Sequence, residues 1–493
     1  MAGRAAGARA ALVLVAAWLA ASGCVAPGGK RVPAGGCARP EGCVRTARWH
    51  ERPPFRRATR ITPLAASTAP LQAATDEPHG PPAPGIYTPP WLPRAGIYWD
   101  GALRYRFFAE PKVGLDQSRP SFTLGERPLV AGRIGFKINV DGATFASRGG
   151  AEDVPGDVAL RRGYLVSSGV INLPHPLQYN LEFGILQRNF YLDSAWLGAH
   201  DVPWVGSLKL GGLDAPIGFD NVTSSRDRAF MELPAPVQAF VPATSLGLLA
   251  HRTWRDGRAS GALGWFTVGQ RRDVGDQSRA LARVVARGTW LARDREQDEA
   301  PPGRWPELVH LGIAGSYTFA GSDDVRYQSR PESFLAPVAV DTGRIPARSA
   351  FVLGAEGAAR RGPLSVQAEA LSAFVDHRAR AFPGLYLSAA YLLTGEVRPY
   401  DREGAVFGQV VPTRPLGLRE RRFGAAELAG RWSWVDLEDG DVRGGRMHVL
   451  GAGFNWYWNR WVRWQANYEL ALADGGPLDG RLHVFQARFQ LVL

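Results

Sequence analysis

Short segments in which apolar and polar residues alternate recur along the chain from about residue 97 to the last residue. In the final segment, Leu491 and Phe489 fall on one side, whereas Gln490 and Arg488 fall on the other. Successive side chains of a β-strand point to opposite faces, so a period of two predicts strands with one apolar and one polar face. We find no sustained 3.6-residue period. The pattern therefore predicts an all-β fold.

These segments are longer than the strands of an ordinary soluble protein. Soluble strands average about five or six residues, whereas the segments here run about 10–13 residues. A tilted strand of about 9–11 residues crosses the hydrocarbon core of a bilayer. Aromatic residues also cluster around one turn, between Trp456 and Trp464, as is typical of the headgroup level of a membrane. We therefore predict a transmembrane antiparallel β-barrel whose apolar faces contact lipid.

About sixteen alternating segments are predicted between residues 129 and 493, after a lead-in segment over residues 96–128. An even number of strands allows both ends of a barrel to lie on the periplasmic side. The long connections 213–243 and 320–349 then fall on the extracellular side, and 397–423 falls on the periplasmic side. The segments lie near residues 129–146, 158–171, 178–187, 190–199, 204–212, 244–252, 258–268, 278–291, 307–319, 350–360, 364–375, 384–396, 424–435, 446–457, 461–471 and 481–493.

The N-terminal part of the chain lacks this alternation. Residues 1–24 contain two arginines, an apolar run and then small residues, which predicts a secretory signal peptide. Because its end is similar to a lipobox, Cys24 is a candidate for lipidation, with ordinary signal cleavage nearby as the alternative. Residues 25–95 are rich in proline, arginine and glycine, which predicts a disordered periplasmic arm. Within the arm, Cys37 and Cys43 could close a small disulfide loop.

Composition narrows the functional classes. The 493 residues include 58 lysines and arginines against 46 acidic residues, a formal net charge of +12. All three cysteines precede the predicted barrel, which therefore has no disulfide, thiolate metal site or cysteine nucleophile. The nine histidines show no metal-ligand spacing, and no hydrolase, P-loop or dinucleotide-binding motif occurs. We expect no enzyme activity, no cofactor, no metal site and, in an exported chain, no nucleic-acid partner.

Basic residues on the polar faces are the candidates for a solute path. Arg279, Arg283 and Arg287 are spaced four apart and share one face of a predicted strand, and Arg133 and Lys137 share the polar face of the first strand. An arginine facing lipid at the bilayer centre would cost about 2–4 kcal/mol, so the three arginines should face an aqueous lumen and attract anions. The alternative is that they balance carboxylates predicted on inner faces, namely Glu356, Glu369 and Glu427.

Several ordered motifs between residues 208 and 457 are similar to those of one known family, the phosphate-selective porins O and P. The resemblance covers about residues 129–493 and implies a sixteen-stranded trimeric outer-membrane channel for anions, with phosphate or polyphosphate as the solute. The chain departs from the family in ending on Leu493 rather than phenylalanine and in lacking N-terminal heptads. The motifs are Leu208–Ser225, Arg226–Glu232, Arg330-Pro331-Glu332, Thr394-Gly395-Glu396 with Arg398-Pro399-Tyr400, and Asn455-Trp456-Tyr457.

The resemblance also assigns roles to residues. It equates the segment that holds Arg226 and Arg228 with an inward-folded constriction loop, although solvated loop charges are the alternative. It places Arg161, Arg162 and Tyr164 in a paired-arginine segment that lines the conduit. Neighbouring strand residues point to opposite faces, so both arginines reach the lumen only near a strand end or a bulge. Alternation alone favours Arg161 inside and Tyr164 outside, the resemblance favours Tyr164 inside, and the sequence leaves the position of Tyr164 open.

Together these features predict an outer-membrane porin for passive diffusion of small anions, phosphate or polyphosphate by resemblance. The expected partners are small anions, outer-membrane lipid and, from the resemblance alone, two further copies in a homotrimer. One alternative is a weakly selective general porin. The other is a non-conducting exported barrel that serves as an adhesion scaffold.

Overall fold

A computed structural model describes residues 95–99, 103–107, 129–148, 154–186, 189–242, 244–269, 282–295, 305–320 and 324–493. The predicted signal peptide, the predicted arm and all three cysteines lie outside these residues, as does Arg279. The predictions made for them therefore stay predictions.

Sixteen antiparallel strands form a closed barrel, because each strand pairs with its neighbours in sequence and the last pairs with the first. The sixteen segments predicted from the alternating pattern correspond to these strands one by one. The strands are β1 (Val130–Arg148), β2 (Asp157–Ile171), β3 (Leu177–Leu186), β4 (Asn189–Val202), β5 (Gly206–Leu213), β6 (Ser245–Trp254), β7 (Ala259–Gly269), β8 (Ala282–Arg295), β9 (Glu307–Phe319), β10 (Ser349–Arg361), β11 (Leu364–Val375), β12 (Arg380–Leu392), β13 (Ala425–Asp439), β14 (Val442–Tyr457), β15 (Val462–Asp474) and β16 (Gly480–Val492).

The wall of the barrel is apolar outside and polar inside. On β1, Phe136 and Ile138 are exposed on the outer face, whereas Asn139 and Asp141 are buried on the inner face. We call the end where β1 begins and β16 ends the lower end, and the opposite one the upper end. Aromatic side chains gather at both: Tyr317, Phe319, Phe351 and Phe374 at the upper end, and Trp456, Trp458, Trp464 and Phe489, the lower aromatic belt, at the lower end. This arrangement confirms the transmembrane barrel.

Three long connections fold into the barrel. Those between β5 and β6 and between β9 and β10 enter from the upper end, and the one between β12 and β13 enters from the lower end. The first contains the short helices α1 (Phe219–Val222) and α2 (Ala235–Phe240). The regular elements of the other two are the strand pairs Asp324–Val325 with Ile345–Pro346, Gln328–Ser329 with Val340–Asp341, and Tyr400–Asp401 with Val406–Phe407.

An apolar core inside the barrel joins the upper connections to the wall. The rings of Phe240 and Tyr327 meet edge to face at 5.5 Å, and Phe382 of β12 packs against Tyr327 at 6.1 Å. These side chains belong to the largest group of buried apolar residues in the described part of the chain. The upper connections are therefore packed as rigid parts of the barrel interior.

A short hairpin precedes the barrel. Its second strand, Leu103–Phe107, pairs with the first residues of β1, beyond the point where β16 ends. Its first strand, Ala95–Trp99, pairs with the second. The sixteen predicted segments do not include this hairpin, because five residues give too few alternations to detect. A single 3-10 turn, His377–Ala379, links β11 and β12. No helix among the described residues has the length and apolar character needed to cross a membrane.

Candidate functional site

A β-bulge in β2 turns two neighbouring arginines toward the barrel interior. Asn139 of β1 pairs with Arg162, but Val140 pairs with Leu160, so Arg161 is the extra residue. Arg162 consequently lies on the same face as the buried Asn139. Arg161 contacts Glu232 of the β5–β6 connection at 3.1 Å. In a regular strand these two adjacent residues would point to opposite faces, but the bulge allows both arginines to face the interior.

Tyr164 lies on the inner face together with Lys137. The two residues are directly paired between β1 and β2, and the Lys137 Nζ atom lies 5.5 Å from the centre of the Tyr164 ring. Lys137 is also 3.6 Å from the Glu182 carboxylate of β3. The structure therefore places Tyr164 inside, as the resemblance implies, because the bulge shifts the alternation of β2 by one residue.

Arg133 marks a strongly basic region near the lower end of the lumen. Its Nε atom donates to the hydroxyl of Ser168 at 3.1 Å. Arg226 bonds the neighbouring Asp227 at 2.9 Å. No carboxylate in the described part of the chain forms an ion pair with Arg133. Three further guanidiniums lie close enough to repel its charge, those of Arg104, Arg226 and Arg460.

The constriction segment predicted to carry Arg226 and Arg228 is fixed to the barrel wall. We call Ser225–Glu232 the anchored segment, because its backbone carbonyls accept hydrogen bonds from side chains around β13–β16. The Arg228 side chain itself turns back to α1 and donates to the carbonyl of Asp220 at 2.9 Å. The wall contacts are Arg463 to Ser225 (3.3 Å) and Arg228 (2.8 Å), Asn455 to Ala229 (2.8 Å), Arg488 to Met231 (2.7 Å) and Arg431 to Glu232 (3.0 Å). Arg398 of the β12–β13 connection donates to Asp227 at 2.6 Å.

Sequence reasoning missed the role of these wall arginines. The alternating pattern puts Arg431, Arg463 and Arg488 on polar faces, but the carbonyls that accept their hydrogen bonds lie about half the chain away in sequence. Two of the family motifs, Arg398-Pro399-Tyr400 and Asn455-Trp456-Tyr457, contain a residue that makes such a contact, but neither motif identifies the partner. The anchoring arginines could not be separated from solute-binding arginines without the folded structure.

Arg283 and Arg287 of β8 both lie buried on the inner face, as their spacing predicted. Arg283 donates to the hydroxyl of Thr318 at 2.8 Å. Arg287 bonds Glu356 at 2.7 and 2.9 Å and the carbonyls of Gly404 and Ala405 at 3.0 Å each. Arg287 thus balances a carboxylate and holds the β12–β13 connection. For this residue the geometry favours the charge-balancing alternative over a free anion ligand.

Glu232 is the acidic centre of the anchored segment. Besides Arg161, its carboxylate accepts a hydrogen bond from Arg488 at 2.7 Å, and Arg488 also binds Asp141 at 2.6 Å. Burial opposes ionisation of this carboxyl, but the neighbouring guanidiniums outweigh burial and hold the pKa of Glu232 well below its ordinary value. Glu232 is therefore ionised at neutral pH and neutralises part of the positive charge around it.

A second loop carboxyl behaves in the opposite way. Burial raises the pKa of Glu403, in the β12–β13 connection, to about 7. The charge of Lys209 on β5 partly offsets burial, whereas the charge of Asp401 adds to it. The negative charge at Glu403 consequently changes within the physiological pH range.

The sequence and the fold are similar to those of known porins. The sequence profile of the family described as phosphate-selective porin O and P matches residues 133–493. Porin O of Pseudomonas aeruginosa is 26% identical over 347 residues, 60% of this chain and 73% of that protein. An uncharacterized protein of Caulobacter vibrioides is 26% identical over 390 residues, 76% of this chain and 75% of that protein. The solved anion-selective porin from Comamonas acidovorans shares 11% identity and a TM-score of 0.43, with 74% of this chain and 100% of that chain covered.

Proposed function

The chain belongs to the phosphate-selective porin O and P family and is an outer-membrane porin, and from this premise we propose that it passes small anions by passive diffusion, with phosphate the favoured solute. The observation that supports anions is a set of inward basic groups that other residues do not satisfy. Arg162 has a buried Nη1 atom without a hydrogen-bond partner in the described part of the chain, and Arg226 has a buried Nη2 atom in the same condition. Unsatisfied buried donors need a ligand or water to complete them.

The chemistry of these groups suits phosphate. A guanidinium stays charged at all working pH values and offers planar paired donors that fit phosphate oxygens. Low-dielectric walls strengthen the field of each charge in a narrow lumen. Passage requires that each site bind an anion weakly enough to release it to the next. Arg162, Lys137 and Arg133 follow one another from the middle of β1 and β2 toward the lower end, and in this proposal they form the path.

The decisive test is selectivity of the purified protein in planar bilayers. We expect a reversal potential that reports anion preference in a potassium chloride gradient, and block of chloride current by added phosphate. Arg162→Gln should weaken phosphate block about tenfold, as expected for loss of a charged hydrogen bond. Arg443→Gln removes the same charge from an exposed position at the upper end and should leave the block nearly unchanged.

Two other outcomes would replace the proposal. Absence of charge preference in the wild-type protein would identify a general porin. Absence of conductance at every voltage would identify a non-conducting barrel such as an adhesion scaffold. The proposed function itself includes no chemical step and no cofactor.

We also propose that the barrel assembles as a homotrimer, which the family resemblance implies. The outer face of β1–β5 supports a subunit contact, because it has a groove of about 550 Å³ with polar groups in an apolar wall. The hydroxyls of Tyr105, Ser167 and Tyr179 are hydrogen-bonded to one another there. Native mass spectrometry in mild detergent should give three times the mass of the mature chain. A monomer mass under these conditions would contradict the trimer.

A further inference from the structure

The β12–β13 connection has a second part that lies outside the barrel. After leaving the lumen it forms a tight turn, in which Gly417 and Arg422 exchange two backbone hydrogen bonds of 3.0 and 2.9 Å. Leu418 and Arg421 lie at its tip, and the side chain of Leu418 is 87% exposed. Arg421 has a left-handed backbone with φ of 50°. We call Thr413–Phe423 the external turn.

Contacts at its base fix the external turn to the lower aromatic belt. The ring of Phe423 stacks on Trp456, with centroids 4.9 Å apart and planes 16° apart. The Trp456 indole donates to the carbonyl of Phe423 at 2.7 Å, and the backbone N–H of Leu416 donates to the carbonyl of Trp458 at 2.7 Å. Trp456 lies on the outer face of β14. Aromatic belts of membrane barrels mark the headgroup level, so the external turn lies beside lipid headgroups.

The external turn is strongly basic and its charges are accessible. It contains one carboxylate, Glu420, which pairs with Arg422 at 3.3 Å. The other three arginines, Arg414, Arg419 and Arg421, are exposed, and the structure gives them no ion pair or side-chain hydrogen bond to any described residue. Their charge is therefore uncompensated within this part of the protein.

We propose that the external turn is a binding surface for the headgroups of anionic phospholipids. The uncompensated guanidiniums match the phosphate and negative charge of such lipids. The exposed side chain of Leu418 at the tip adds apolar contact with the part of the acyl chains next to the headgroups. A freely diffusing phosphate ion would use only the charges, whereas a lipid uses the charges, the leucine and the position beside the belt. The surface lies outside the wall and is separate from the proposed anion path.

The test measures which lipids the full-length protein retains. The protein is placed in nanodiscs of equal phosphatidylglycerol and phosphatidylcholine, extracted with mild detergent and analysed for bound lipid by mass spectrometry. We expect enrichment of phosphatidylglycerol in the wild type. In the triple variant Arg414→Gln, Arg419→Gln, Arg421→Gln the ratio of the two lipids should fall about fivefold or more, the factor contributed by a single arginine near an anionic surface.

A matched control removes the same charge at the other end of the barrel. Arg148, Arg443 and Arg481 are exposed at the upper end, and their triple glutamine variant should keep the wild-type lipid ratio. Equal loss in both variants, or no enrichment in the wild type, would overturn the proposal. Displacement of the lipid by millimolar inorganic phosphate would also overturn it, because the ligand would then be a free anion. Bilayer selectivity of the first variant should stay wild-type, so this proposal and the proposed function fail separately.

Discussion

Some arginines inside this barrel hold the structure together and others are available to bind solute. The partners of each side chain show which role it has. Arg488 binds two carboxylates and one carbonyl, and Arg287 binds one carboxylate and two carbonyls. Each of these guanidiniums uses all three of its nitrogens in hydrogen bonds to the protein, so it holds structure and has little capacity left for a passing anion. Arg162 and Arg133 lack a carboxylate partner among the described residues and keep donors for solute. Counting arginines on inner faces therefore overestimates the number that bind solute.

The pair formed by Arg287 and Glu356 should contribute to stability and not to selectivity. Arg287→Met leaves the buried Glu356 carboxylate without its cationic partner and with only the imidazole of His310, 3.0 Å away, which should lower the free energy of unfolding by about 3–5 kcal/mol. Arg293 and Glu307 form an exposed pair at 2.8 Å, and Arg293→Met should cost no more than about 1 kcal/mol. Denaturant unfolding in lipid vesicles measures both values. Equal losses would show that the buried pair is no stronger than a surface one.

Glu403 should make anion preference depend on pH. Because its pKa is raised to about 7, the carboxyl is neutral at pH 5.5 and ionised at pH 8.5. Raising the pH therefore adds negative charge beside Lys209 and should reduce anion preference through the interval around pH 7. Reversal potentials measured across this range test the change. Glu403→Gln should remove the dependence, and a wild-type dependence that survives in this variant would assign it to another group.

Residue-level prediction succeeded where a side chain obeys the period of its strand. Arg283 and Arg287 are on the predicted face because β8 is regular through these positions. Alternation favours Arg161 inside, where it lies, but it favours Tyr164 outside, and for Tyr164 it is wrong because the bulge between β1 and β2 inserts one unpaired residue. A bulge is a property of the pairing between two strands, and the alternation of a single strand does not contain it.

At the scale of elements, strands were predictable and the inward connections were not. Each strand has its own alternating pattern, and that pattern is strong because lipid contacts one face and polar groups contact the other. The connections that fill the lumen are held by hydrogen bonds that distant arginines donate to backbone carbonyls. Every residue has a backbone carbonyl, so the sequence does not indicate which carbonyls accept these hydrogen bonds. The family resemblance identified the constriction segment, and its attachment to the wall became visible only in the structure.

The anchored segment should loosen when one wall arginine is replaced. Arg463 donates to the carbonyls of Ser225 and Arg228, so Arg463→Gln should allow the segment to move while the barrel remains folded. We expect noisier single-channel currents and weaker phosphate block. Arg481→Gln, which removes an exposed arginine of β16, is the matched control. Quiet, wild-type currents in the Arg463 variant would show that the remaining contacts suffice to fix the segment.

For the whole molecule, one physical rule accounts for the closed sheet and the polar interior. Hydrocarbon offers no hydrogen bonds, so a sheet in a membrane must pair every edge, and β16 meets β1 to do so. The outer face must then be apolar between the aromatic side chains at the upper end and those at the lower end. Charged groups needed for a solute path are confined to the inner face and the ends. The same rule explains why the family and fold could be recognised from the sequence before the site could.

The apolar outer band makes a quantitative prediction about depth. Ile313 lies at the middle of β9 with 60% of its surface exposed, whereas Leu364 begins β11 beside a tight turn at the lower end. Ile313→Arg places a charge at the bilayer midplane and should cost about 2–4 kcal/mol of folding free energy, against about 0–1 kcal/mol for Leu364→Arg near the interface. Reversible folding into vesicles measures both variants under one set of conditions. Both substitutions introduce the same charged side chain, so a difference in their folding free energies comes from the medium around each position. Equal costs would mean that Ile313 does not face hydrocarbon, and the assignment of the outer band to lipid would have to be abandoned.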